Sequence, residues 1–211
     1  MDEYVVHVVD DDEAVRKSLA FLLTTAGFTV RIHESASSFL AAAPGMGKAC
    51  LVTDLRMPDM SGVELLEKLN KIGAAVPVVV ITGDGDVPMA VAAIRAGASD
   101  FIEKPFEDEV LIEAVKRAAS LLQPDTEVIN DVPAMRERLN NLSEREREVL
   151  SAVVAGMPNK TIADDLNISP RTVEVHRANL MFKMQASSLP ELVRIAMALE
   201  LADRGNSADP C

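Results

Sequence analysis

Lys48-Ala49-Cys50-Leu51-Val52-Thr53-Asp54-Leu55-Arg56-Met57-Pro58-Asp59-Met60-Ser61-Gly62 decides how this chain is read. Cys50 to Thr53 is a short apolar, β-branched run, the pattern of a buried strand. Asp54 stands where that strand ends. Leu55 to Gly62 lacks periodicity and carries Pro58 and Gly62, so it reads as a loop. An acid at the carboxyl end of a central parallel strand faces the crevice in which α/β proteins bind ligands. The same residue could instead cap the following turn, and this stretch alone leaves both readings open.

Working outward, strand-like and helix-like runs alternate. Strands are expected at Tyr4 to Val9, Phe28 to Ile32, Cys50 to Thr53, Val76 to Ile81 and Asp100 to Glu103. Helices are expected at Glu13 to Ala26, from a Ser35 cap through Ala43, and at Val63 to Ile72, Val87 to Ala96 and Glu107 to Leu122. Near-continuous apolar strands separated by helices mean a parallel sheet covered on both faces. Right-handed crossovers make it doubly wound, and the flavodoxin-like order 2-1-3-4-5 brings the end of strand one beside the end of strand three.

That order gathers chemistry. Strand one ends in Asp10-Asp11-Asp12-Glu13 and strand three in Asp54. Carboxylates sharing one crevice repel unless a cation sits among them, and few, hard, water-open oxygen ligands suit Mg²⁺. Asp12 and Glu13 read as acids at a helix N-terminus, and Asp10 and Asp11 as metal ligands. Strand four adds Thr82. Strand five is followed by Lys104-Pro105, whose peptide bond is a candidate for cis. Acids, a divalent cation, a hydroxyl and an ammonium can together receive a phosphoryl group on Asp54.

Composition narrows the class. The chain has 211 residues, 48% hydrophobic and 26% charged, with 3% aromatic and no Trp, so an aliphatic core is expected. No apolar run is long enough to cross a bilayer, and the acidic opening Met1-Asp2-Glu3 is not a secretory signal. Cys50 and Cys211 make no disulfide framework and read as reduced thiols of a cytoplasmic protein. The net charge of −12 is uneven: residues 1–123 hold 11 basic and 19 acidic side chains, residues 124–140 hold 2 and 4, and residues 141–211 hold 8 and 10. Nucleic-acid contact must therefore come from local placement, not bulk charge.

After a linker at 124–140 with a helical piece from Ala134 to Leu139, a second domain is expected at 141–204, with a disordered tail at 205–211. Ser143 and Glu146 form a capping box for a helix to about Ala155. A short helix covers Lys160 to Leu166. Asn167-Ile168 makes a turn, and Ser169-Pro170 opens a third helix holding Val173, Val175, His176, Leu180 and Met184. A fourth runs from Leu189 to Leu201. Four helices with one tight turn describe an all-α helix-turn-helix unit. The third helix exposes Arg171, Thr172, Glu174, Arg177 and Asn179, which can reach bases or phosphates. Residues 143–199 hold seven basic and seven acidic side chains, so non-specific DNA affinity is expected to be weak and salt-sensitive. A plain docking or dimerisation module remains open on these residues alone. A phosphatase-like or flavin-type carrier is the rival for the first domain, weakened by the absence of a second nucleophile.

Val9-Asp10-Asp11, Thr53-Asp54-Leu55-Arg56-Met57-Pro58-Asp59-Met60-Ser61-Gly62, Ile81-Thr82-Gly83, Ala96-Gly97-Ala98 and Asp100-Phe101-Ile102-Glu103-Lys104-Pro105-Phe106 resemble the two-component receiver domain over residues 4–122. The resemblance implies that Asp54 is the phosphoacceptor. It implies Mg²⁺ on Asp10, Asp11, Asp54 and the backbone carbonyl of Arg56. Thr82 and Lys104 then contact the phosphoryl oxygens, and Phe101 is an aromatic switch. The receiver catalyses only its own modification, with a histidine kinase as donor. Leu142-Ser143-Glu144-Arg145-Glu146, Asn159-Lys160, Ile168-Ser169 and Arg171-Thr172-Val173-Glu174-Val175-His176 resemble the DNA-binding domain of the LuxR, NarL and FixJ regulators. By that resemblance the third helix enters the major groove of promoter DNA with Glu174, Val175 and Ala178 facing bases. Lys160, Thr172 and Arg177 are backbone candidates, and Arg171 and Lys183 join the DNA-contacting set. His176 is packed. Gly85-Asp86-Val87-Pro88-Met89-Ala90-Val91 and Ser169 to Asn179 extend the likeness to FixJ-type response regulators. That likeness implies a FixL-like haem oxygen-sensing kinase, RNA polymerase as a partner, a homodimer formed on phosphorylation through the fourth helix and fifth strand, and activation of nitrogen-fixation and micro-oxic respiration genes. Relatives of the same type answer other stimuli.

Overall fold

The structure, a computed structural model, describes residues 4–43, 45–83, 87–122, 132–186 and 188–206, with the side chains of 87, 132 and 200–206 left out. The expected linker at 124–131, the Gly85-Asp86 pair and the tail from 207 lie outside the described residues. The chain divides into two compact units, one of residues 1–85 and 93–126, the other of 86–92 and 127–211.

Up to residue 120 the chain follows the order β1 (Val5–Val9), α1 (Glu13–Thr25), β2 (Thr29–His33), α2 (Ala36–Ala42), β3 (Ala49–Asp54), α3 (Gly62–Lys71), β4 (Val78–Thr82), α4 (Val87–Arg95), β5 (Asp100–Glu103) and α5 (Asp108–Ser120), with the start of α4 falling to the second unit. All strand pairs are parallel and the sheet order is β2-β1-β3-β4-β5. Sheet and helices match the expected pattern, with ends moved by one or two residues. Thr82 and Asp54 belong to their strands because Thr82 pairs with Glu103 and Asp54 with Ile81. Caps explain the helix starts: the Asp12 carboxylate accepts from the N–H groups of Ala14 and Val15, and the Ser35 hydroxyl from that of Ser38.

Side-chain alternation divides the sheet. Val6, Val8, Cys50, Val52, Val79, Ile81 and Ile102 pack with Leu19 and Leu23 of α1 and Leu111, Ala114, Val115 and Ala118 of α5. Burial pushes the Cys50 thiol up to about 12, so it acts as an apolar filler. Tyr4 packs its ring at 6.1 Å from Phe28. On the opposite face His7 is buried and its Nδ1 lies 2.8 Å from His33 Nε2, with the rings stacked at 5.1 Å and Phe39 edge-on to both.

The second unit contains α6 (Val132–Asn140), α7 (Glu144–Val154), α8 (Asn159–Leu166), α9 (Pro170–Met184) and α10 (Leu189–Asn206). The helical piece before Leu142 is longer than expected, and α10 runs five residues past Leu201. Val149, Leu150, Val153, Ile162, Val173, Leu180, Met184 and Leu192 form one core. Asn167 takes the left-handed conformation at φ 53°, which turns the chain sharply between α8 and α9.

Burial, then the neighbouring His33 and Arg31, push His7 down to about 4. Its unfolded value is near 6.5. The unfolded chain therefore binds the extra proton first, and stability present above pH 6.5 is lost as pH falls toward 4. Urea titrations of the first unit's transition should show up to about 3 kcal/mol lost across this window, and a flat profile would contradict the buried neutral ring.

Candidate functional site

The carboxyl edge of the sheet brings β1, β3, β4 and β5 to one place. Asp54, the last residue of β3, is fixed from several sides. Its Oδ1 accepts from Lys104 Nζ at 2.9 Å and its Oδ2 from the backbone N–H of Arg56 at 2.7 Å. The same ammonium reaches Asp10 Oδ2 at 3.3 Å. Lys104 is carried there by β5, and its N–H donates to the carbonyl of Thr82 at 2.7 Å, which ties the ends of β4 and β5 together. The Lys104-Pro105 bond is cis, the option left open by the sequence. Thr82 is buried and Phe101 half-buried.

Electrostatics follow from this packing. Asp10 is only 4% exposed. Its carboxyl is held above the usual range by burial, with the Asp54 charge adding to it and the Asp12 N–H and Lys104 opposing. Burial acts to lower the Lys104 ammonium, but the hydrogen bond and charge of Asp54, with Asp10, raise it overall. Lys104 is thus a fixed cation between two acids.

Asp10 has supports that the sequence did not signal. The Asp12 N–H donates to its Oδ1 at 2.9 Å, and Arg16 Nη1 to its carbonyl oxygen at 2.7 Å. The loop after Asp54 closes when the Gly62 N–H donates to the Leu55 carbonyl at 2.8 Å. Ser61 and Glu64 form a capping box for α3, whose signal in the sequence is the Ser-x-x-Glu spacing. Asp59 accepts from the Ser37 N–H at 2.9 Å. Gly62 is more than a loop breaker: a Cβ there would sit 2.8 Å from the carbonyl oxygen of Asp54 and 3.2 Å from Leu55 Cα.

Of the metal set read from the sequence, Asp10 and Asp54 converge while Asp11 is exposed at the strand end. Among the described residues no group of three acid, histidine or cysteine side chains is gathered as a metal cage. Two convergent carboxylates still fit, in kind, a hard cation that takes oxygen ligands.

In the second unit, α9 opens with the Ser169 hydroxyl accepting from the Thr172 N–H and Pro170 in the first turn. Arg171 and Glu174 pair at 2.9 Å on the exposed face, beside Val175 and Ala178, and Lys160 is exposed on α8. Two of the expected DNA contacts have partners inside the domain. Lys183 Nζ pairs with Glu146 at 2.7 Å, where Glu146 is 4% exposed and also accepts from the Ser143 N–H. Arg177 is half-buried, donates to Asn159 Oδ1 at 2.8 Å, and is lowered by burial. His176 is packed, with its Nδ1 buried and unpartnered.

Residues 6–116 match the response regulator receiver domain, and residues 140–196 match the bacterial regulatory proteins of the luxR family. The transcriptional regulatory protein FixJ of Rhizobium meliloti is 64% identical over 94% of this chain and 97% of its own. This chain is a response regulator of the FixJ type. FixJ of Azorhizobium caulinodans is 52% identical over 93% of each chain. A crystal structure of full-length FixJ from B. japonicum matches with TM-score 0.56 and 46% identity, covering 93% of this chain and 97% of that one. This response regulator is accordingly a phosphorylation-dependent two-component transcription regulator with a LuxR-type DNA-binding domain, served by a sensor kinase, and not an enzyme on external substrates. The phosphatase-like rival is set aside. Among the described residues no helix is long and apolar enough to cross a membrane.

Two substitutions test these supports. Gly62→Ala overpacks the loop under Asp54 and should cost about 1–3 kcal/mol in denaturation; an unchanged midpoint would mean that the loop has room. Lys183→Met leaves Glu146 buried and uncompensated and should cost roughly 2 kcal/mol, with part recovered in the Lys183→Met, Glu146→Gln double variant. Full stability with lost DNA binding would show that Lys183 acts at the phosphates.

Proposed function

We propose that Asp54 of this response regulator accepts a phosphoryl group from the phosphohistidine of a FixL-like sensor kinase. An Asp54 oxygen forms the new bond to phosphorus as the phosphorus–nitrogen bond breaks, and the donor imidazole leaves. The observation that carries this reading is the Lys104 ammonium shared between Asp54 and Asp10: it holds a positive charge where equatorial phosphoryl oxygens gain negative charge. Asp10, Asp11, Asp54 and the Arg56 carbonyl would hold Mg²⁺, which when bound supplies further charge neutralisation. The Thr82 hydroxyl offers the phosphoryl oxygens a donor, and Phe101 changes rotamer as Thr82 moves in.

Residues 1–123 act as the receiver and 141–204 as the reader of promoters. The α4–β5 face, about Val87 to Glu103, then pairs two receivers so that two readers meet two half-sites and engage RNA polymerase. In each reader α9 enters the major groove, with Glu174, Val175 and Ala178 toward bases and Lys160, Arg171 and Thr172 toward the backbone. Similarity to proteins called FixJ supports nitrogen-fixation and micro-oxic genes as targets.

Asp54→Asn should abolish labelling by acetyl phosphate in the presence of Mg²⁺ and leave the chain a monomer by sedimentation where the wild type dimerises. Labelling of the variant at another aspartate would overturn the assignment.

A further inference from the structure

Phe182 is 84% exposed, although its ring is among the most apolar side chains in the domain. It lies on α9, whose inner face of Val173, Leu180 and Met184 is fully buried. The outer face is not simply polar. At about 100° per residue, Arg171, Val175, Ala178 and Phe182 fall within an arc of about 60°, and all four are exposed. The helix therefore presents a narrow outward stripe that begins with a guanidinium and continues through three apolar residues. Val175 is itself 49% exposed.

Such a stripe needs an occupant. A valine, an alanine and a phenylalanine in single file cannot supply the roughly 800 Å² per partner of a stable protein interface. The stripe instead has the width of a helix that enters a groove, its leading end carries Arg171, and the exposed Lys160 stands on the preceding helix. That combination matches the DNA major groove, whose walls are phosphate and whose apolar feature is the C5-methyl group of thymine. From Val175 to Phe182 the axis advances about 10.5 Å, roughly three base steps.

We infer that Phe182 is a specificity-determining residue of the reader, packing its ring on a thymine C5-methyl about three steps from the base pair met by Val175. This rests on the DNA-binding reading above and extends it to a residue beyond the base-facing set of Glu174, Val175 and Ala178. Being exposed, Phe182 can be replaced without disturbing the core.

The test uses the full chain treated with acetyl phosphate, a duplex selected from a random pool by the wild type, and a scan replacing each thymine by uracil, which deletes one methyl group. Wild type should lose affinity roughly threefold to tenfold at one thymine of each half-site that the ring covers, the worth of a buried methyl. Phe182→Ala should bind the parent duplex more weakly by a similar factor and no longer distinguish thymine from uracil at that position, while its sensitivity at the Val175 position persists. If Phe182→Ala discriminates like wild type at every position, or loses affinity equally for all duplexes, the inference fails. It fails equally if the variant binds DNA normally and loses only transcription activation, because the ring then meets a protein. A wild type that selects no duplex at all would defeat the DNA-binding reading itself.

Discussion

A single ammonium between the buried Asp10 and half-buried Asp54 carboxylates holds the carboxyl edge of the first unit together. Lys104 answers Asp54 and Asp10 at once, and it does so because a parallel sheet in the order β2-β1-β3-β4-β5 brings four strand ends to one edge. Remove the cation and Asp10 and Asp54 face each other with little water to screen them, at a free-energy cost that buried like charges always carry. The arrangement is therefore poised: the two carboxylates stay together only while positive charge is present between them.

The second unit has a comparable node. Ser143, Glu146 and Lys183 join the start of α7 to the end of α9. Burial penalises the Glu146 carboxylate, but the Lys183 hydrogen bond and the Ser143 N–H hold its carboxyl below the usual range. The helix that presents the outward stripe is thus anchored at its C-terminal end by an ion pair and at its N-terminal end by a Ser169 cap. Held at both ends, α9 presents that stripe on a rigid element.

Much of this was legible in the residues. Apolar strand runs and their punctuation gave the sheet order, and the sheet order placed Asp10, Asp54, Thr82 and Lys104 together. Capping residues gave the starts of α2, α7 and α9. What escaped depended on three-dimensional register or on the reach of long side chains. His7 meets His33 only because β1 and β2 run side by side, and no local spacing announces it. Arg16 spans from α1 to the Asp10 carbonyl by a flexible arm. Lys183 and Glu146 are 37 residues apart, so no local spacing announces their ion pair. Gly62 read as a loop signal, whereas its missing Cβ is what lets the loop press on the Asp54 backbone. Asp11 is exposed while its neighbour Asp10 is buried, a difference that adjacency in sequence does not announce.

The contact of Tyr4 with Phe28 has a spectroscopic consequence. Tyr4 is the only tyrosine and the chain has no tryptophan, so near-ultraviolet emission comes from one ring at the first strand of the receiver. Melting of the promoter reader is dark by this probe, and a fluorescence curve reports on one half of the molecule alone. Circular dichroism at helical wavelengths sees both, and the difference between the two signals separates the melting of the two halves without any label.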